Sequence, residues 1–117
     1  MQTNKGTNLI IELSFVFALD IVRYCKQLFE IRQFVIANQL LRSGTSIGAN
    51  VREAQNGESR ADFIHKFKLA AKETDETQYW LELCKASEGF PDCSSLQVQA
   101  IALAKVISKI IGTSRRI

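Results

Sequence analysis

The chain holds a single proline, Pro91, and its apolar residues recur at three- and four-residue intervals along most of its 117 residues. One proline and six glycines leave too few turn-formers for an all-β fold, in which each short strand needs a turn. The periodicity instead predicts helices over about 7–29, 32–55, 59–87 and 94–111. The breaks between them are short, and short connections make consecutive helices antiparallel neighbours. The expected fold is therefore all-α, an up-down-up-down four-helix bundle in one domain over residues 1–117. A hydrophobic content of 46% excludes a disordered chain, and this length buries a modest single core.

Each segment carries its own signals. In the first, Leu9, Leu13, Val16, Phe17, Asp20 and Tyr24 are expected on one face, with Ile11, Phe15, Ala18, Val22 and Phe29 on the other. That helix is apolar over more of its circumference than a lone bundle needs. In the second, Ile36, Leu40, Ile47, Val51 and Ala54 form the stripe, and Asn56-Gly57 supplies a left-handed stop. The third opens on Ser59-Arg60-Ala61-Asp62, which reads as a capping box. Its inward residues are Phe63, Phe67, Ala70, Thr74, Thr77 and Leu81. Ser94, with Gln97 three residues on, is the expected cap of the fourth, whose inward stripe is Leu96, Ala100, Leu103, Ile107 and Ile110.

The surplus apolar residues Phe15, Val22, Leu69, Trp80 and Leu83 predict a self-association surface. Cys25, Cys84 and Cys93 make an odd set with no C-x-x-C pair, which predicts free thiols in a reducing, cytoplasmic setting. Glu12 and Asp20 interrupt the apolar run 9–22, so neither a signal peptide nor a membrane span is expected there.

The stretch LLRSGTSIGANVREAQ, residues 40–55, places Gly44 and Gly48 four apart among hydroxyl residues. A phosphate-binding P-loop needs four residues between its glycines and then a lysine, and neither condition is met. On a helix, Ser43, Ser46, Asn50 and Glu53 step by three, four and three into a narrow polar stripe, with Arg42 beside it. The glycines then remove bulk where another backbone approaches. Either tight helix packing or a ligand-facing polar groove satisfies this pattern, and packing is the expected reading.

QLLRSGTSIGANVREA, followed by RADFIHKFKLAAKETDETQYWLEL, resembles the four-helix-bundle family encoded in intervening sequences of bacterial large-subunit ribosomal RNA genes. That family often carries a ribosomal-protein label. The stretch is also similar to the accessory proteins of diversity-generating retroelements. Gln39, Leu40, Arg42, Ser46, Ile47, Asn50 and Glu53 match at the family spacing, as do Asp62, Phe63, Ala70 and Glu76 downstream. Val51, Ala54 and Ala71-Lys72 depart from it mildly. The resemblance implies an antiparallel bundle assembled as a homo-oligomer, a ring of five, with a basic surface for RNA or DNA and, in the retroelement relatives, a protein partner.

A net charge of +3 permits a nucleic-acid partner without requiring one. The candidate contacts are Arg52, Arg60, His65, Lys66, Lys68 and Lys72, offset by Asp62, Glu73, Asp75 and Glu76. No aromatic–basic alternation marks a base-stacking platform, so binding would follow backbone and shape. The alternative is a protein-interaction scaffold that binds no nucleic acid. An enzyme is not expected. Asp62 and His65 imitate part of a carboxylate–histidine metal motif, but a single histidine cannot complete it, and no cofactor is predicted.

Overall fold

A computed structural model describes residues 5–116. They form α1 (Lys5–Glu30), α2 (Phe34–Ala54), α3 (Arg60–Ala86) and α4 (Ser94–Arg116). The fourth helix runs five residues further than the periodicity suggests. Consecutive helices pack together, α4 closes back on α1, and among the described residues no diagonal pair of helices approaches closely by its backbone. The result is an antiparallel four-helix bundle about 48 Å long and 20 Å across.

The α3 and α4 stripes lie inward as predicted. On α1 the core face is different. Of the expected face Phe17 and Tyr24 are buried, but together with Ile10, Ser14, Ile21 and Leu28, while Leu9 and Val16 are each 46% exposed. An almost wholly apolar helix offers two phases of the same period. The one adopted sets Glu12, Arg23, Lys26 and Glu30 in solvent, because charged side chains are costly to bury unpaired.

The helix ends also differ in detail. Gly57 does not take a left-handed conformation; among the described residues Arg32 (φ 65°) and Gly89 (φ 82°) do. At Arg32 the N–H donates to Phe29 O at 3.0 Å, and the Gln33 N–H donates to Leu28 O at 2.8 Å. This bond pair is a Schellman ending, which closes α1 without a glycine. Ser59 caps α3, its hydroxyl accepting from the Asp62 N–H at 3.1 Å. Ser94 is not the cap of α4 but its first residue. The Cys93 carbonyl accepts from the Gln97 N–H, and Asp92 accepts from the Ser94 hydroxyl at 2.7 Å.

The glycines of α2 answer the packing question. A Cβ at Gly44 would lie 2.9 Å from both Ile21 Cγ atoms, and one at Gly48 would lie 3.4 Å from the Ser14 carbonyl oxygen. Helices α1 and α2 therefore meet closely along Gly44–Gly48. Ile21 is fully buried and has no room to retreat. Gly44→Ala gains about 1 kcal/mol of helix propensity but meets an overpacking cost of about 1–3 kcal/mol. The expected outcome is a net loss of up to about 2 kcal/mol by chemical denaturation. Gly112 stands in open space, and a Cβ there would meet nothing within 4 Å. Gly112→Ala is expected to gain roughly 0.5–1 kcal/mol. Shifts of the same sign for both would contradict close packing at Gly44.

All three cysteines are buried thiols, gathered with Tyr24 where α1 and α3 end and α4 begins. Tyr24 donates to Pro91 O at 2.8 Å, tying the α3–α4 loop to α1. Burial pushes the Cys25 thiol up to about 12 and the Cys84 thiol up to about 11. Such thiols are neutral and inert in the fold. An acid whose folded pKa is raised favours folding below its unfolded pKa and loses that contribution as pH climbs toward the folded value. Unfolding free energy should therefore fall from about pH 9 upward, and Cys25→Ser/Cys84→Ser should flatten that fall. An equally steep fall in the double variant would assign it to other groups.

Candidate nucleic-acid interface

The polar stripe of α2 lies along the α2–α3 seam. Arg42 reaches Glu76 and Glu73 of α3, the latter at 3.4 Å, and also donates to Gln39 Oε1 at 3.1 Å. The Trp80 indole N–H donates to the same Glu76 carboxylate at 2.9 Å. Deeper in the seam, the Thr77 hydroxyl donates to Ser43 Oγ at 2.9 Å, with both residues fully buried. Further along, Lys66 pairs with Glu53 at 2.6 Å. Ser46 and Asn50 turn back onto α2 itself, donating to the carbonyls of Arg42 and Ser46.

This is a helix-to-helix seam in which the partners are already satisfied. Among the described residues no buried side-chain polar atom lacks a hydrogen-bond partner. The stripe thus holds α2 against α3 in one register, Glu53 opposite Lys66 and Arg42 opposite Glu76. Its pairs are partly exposed, so each contributes modestly to stability while fixing geometry.

The six basic candidates do not form one cluster. Arg52 lies on the α1 side of α2, its guanidinium 5.3 Å from the centre of the Phe15 ring. Lys66 is committed to Glu53. Arg60 is exposed and engaged in an interaction of its own. His65, Lys68 and Lys72 are exposed on the outward side of α3. Asp62 and Asp75 are exposed on the same helix and dilute that charge.

The predicted self-association residues divide as well. Phe15 and Val22 are each 49% exposed on α1, beside exposed Leu19. Phe15, with Thr45, Gly48 and Ala49 of α2, borders a shallow groove between the two helices. Leu69 and Trp80 are only half-exposed, because they sit at the edge of the polar seam, and Trp80 packs against the core. Leu83 is exposed beyond them.

A further basic face emerges only when charge is read by helix face. Helix α4 carries Lys105, Lys109, Arg115 and Arg116 and no Asp or Glu. Lys105, Lys109 and Arg116 are spaced four and seven apart, which sets them in one row. No two of the three are adjacent in sequence, so a scan for charge runs passes over them. Among the described residues no ion pair engages them. By length and composition α4 is apolar enough to cross a membrane, yet its stripe Leu96, Ala100, Leu103, Ile107 and Ile110 is buried in the bundle against α3 and α1.

The 23S rRNA-intervening sequence protein family matches over residues 7–111, all four helices. The chain belongs to this family. A crystal structure of a protein of unknown function from the S23 ribosomal protein family of Bacteroides thetaiotaomicron VPI-5482 is similar to it at 42% identity. The similarity covers 92% of this chain and 98% of that one, with a TM-score of 0.87. No curated protein matches the chain. For this family member, then, the resemblance carried by residues 39–81 extends along nearly the whole bundle. Its matching residues Gln39, Arg42, Glu53 and Glu76 turn out to belong to the network that joins α2 to α3. Among the described residues no group of three or more His, Cys, Asp or Glu side chains is placed to share a metal ion.

Proposed function

We propose that this chain is a non-enzymatic, self-associating cytoplasmic bundle that binds nucleic acid, RNA in preference to DNA, through its basic end. The observation that carries the reading is where the antiparallel fold puts its exposed cations. The first half of α3 and the last half of α4 lie at the same end of the bundle. His65, Lys68 and Lys72 thus share an end with Lys105, Lys109, Arg115 and Arg116. Lysine and arginine side chains held on a rigid surface neutralise phosphates and release condensed counterions. The choice of RNA over DNA is supported by the family's name, which refers to an intervening sequence of 23S rRNA.

Self-association is supported by Phe15, Leu19 and Val22, which leave a broad apolar strip on α1 in water. Five copies in a ring would multiply a modest charge per chain. Light scattering should give a mass of about five times the 13.2 kDa chain. Phe15→Glu/Val22→Glu should lower it without unfolding the bundle, because both side chains are already half in solvent. A wild-type mass of one chain would contradict the assembly. For the ligand, a fluorescein-labelled 23S rRNA hairpin should bind more tightly than a DNA duplex of equal length. Failure to bind either at low salt would leave the protein-interaction scaffold, with the α1 strip as its surface.

A further inference from the structure

We propose that the C-terminal half of α4 is the surface on which the nucleic-acid backbone lies, with Lys105, Lys109 and Arg116 neutralising successive phosphates beside a furrow floored by Ala104, Ser108 and Gly112. The inference rests on the nucleic-acid reading above and assigns it to one helix.

Three features point there. The first is charge. Every other helix mixes signs, whereas α4 has cations only, so no carboxylate on it repels a phosphate. Lys105 and Lys109 repel each other one turn apart. A polyanion laid along the row would relieve that repulsion.

The second is shape. Ala104, Ser108 and Gly112 recur every four residues along one line of α4, and with Thr113 and the three cations they line a shallow, open depression on that helix. Small side chains here let a backbone approach the helix while the long cationic arms reach over it. At 1.5 Å per residue the row from Lys105 to Arg116 spans about 16 Å, enough for several phosphates of one strand.

The third is Gly112 itself. Glycine inside a helix is less favourable than alanine. At Gly44 close packing against Ile21 accounts for it, but at Gly112 nothing within 4 Å would obstruct a Cβ. No contact among the described residues requires a glycine there, which fits a role for this position toward a ligand.

A lipid surface would also attract these cations. It is disfavoured because an interfacial helix needs a free apolar face beside its basic one, with aromatic anchors. The inward stripe of α4 is committed to the core. Val98 and Ile101 are its large exposed apolar residues, both on its first half, and the helix has no Phe, Tyr or Trp to anchor it.

The test uses the full chain and three variants whose helicity and thermal unfolding are checked first. Lys105→Gln/Lys109→Gln/Arg116→Gln removes the α4 row, and Lys68→Gln/Lys72→Gln removes the α3 cations. Gly112→Leu fills the furrow without altering charge. Binding of a fluorescein-labelled RNA hairpin is measured across a salt series, with phosphatidylserine vesicles as a second probe. The α4 variant should bind at least about tenfold more weakly, with a salt slope reduced by about 1 per cation removed. Gly112→Leu should weaken binding several-fold at an unchanged slope, and the α3 variant should lose several-fold less affinity than the α4 variant. Loss in the α3 variant alone, or equal loss in the α3 and α4 variants, would overturn the α4 assignment and leave nucleic-acid binding standing. Wild-type protein that ignores RNA at low salt would overturn both. Tighter binding to vesicles than to RNA would replace the proposed ligand with a lipid surface.

Discussion

Phe17→Ala will lower the unfolding free energy by about 3–5 kcal/mol. Phe17 is fully buried on the inward face of α1, in the core cluster that also holds Ile21, Leu40 and Phe67. Alanine removes a ring that neighbours cannot replace, because helices locked by the Gly44–Ile21 approach and the α2–α3 seam cannot collapse into the space. Domains of this size are stable by about 5–15 kcal/mol in total, so the variant would lose a large share of its margin. Urea denaturation should show a lower midpoint at an unchanged slope. A loss below about 1 kcal/mol would mean that α1 does not dock through this face. Val16→Ala gives the contrast: Val16 belongs to the other phase of the same helix, is 46% exposed, and should cost far less.

That contrast marks where the sequence is ambiguous. On α3 the inward positions 63, 67, 70, 74, 77 and 81, two of them threonines, are those expected, because charged residues at 62, 68, 72 and 75 mark the exposed side. On α1 apolar residues occupy both flanks of Phe17 and Tyr24, and Leu9, Leu13 and Val16 compete with Ile10 and Ile21. Only tertiary packing chooses between them. The sites divide in the same way. The step of Ser46, Asn50 and Glu53 along one face, with Arg42 beside it, can be seen in the chain, but the partners of Arg42 and Glu53 on α3 depend on antiparallel register. Arg42 and Glu76 are separated by 34 residues in the chain, and Glu53 and Lys66 by 13, yet both pairs meet along one seam.

The basic surface is legible by the same rule of reading residues by face. Lys66, Lys68 and Lys72 stand out in the sequence because they are close together, yet Lys66 is spent on Glu53. Lys105, Lys109 and Arg116 are farther apart in sequence but share a face. Arg52 resembles the α3 cations in type, whereas its position over Phe15 sets it on the α1 side, next to the apolar strip. There it can serve assembly as well as charge.

A bundle that holds a nucleic-acid backbone by a row of phosphate contacts must release counterions when it binds. The most direct measurement is therefore the dependence of RNA-hairpin affinity on salt. Three phosphates neutralised per chain give a slope of roughly −2 to −3 in log affinity against log salt. Between about 50 and 200 mM salt, affinity should fall about 20- to 40-fold for each chain engaged, and more where several copies bind one RNA. An affinity that stays level across that range would contradict phosphate binding, because contacts that release no counterions are not contacts to phosphate.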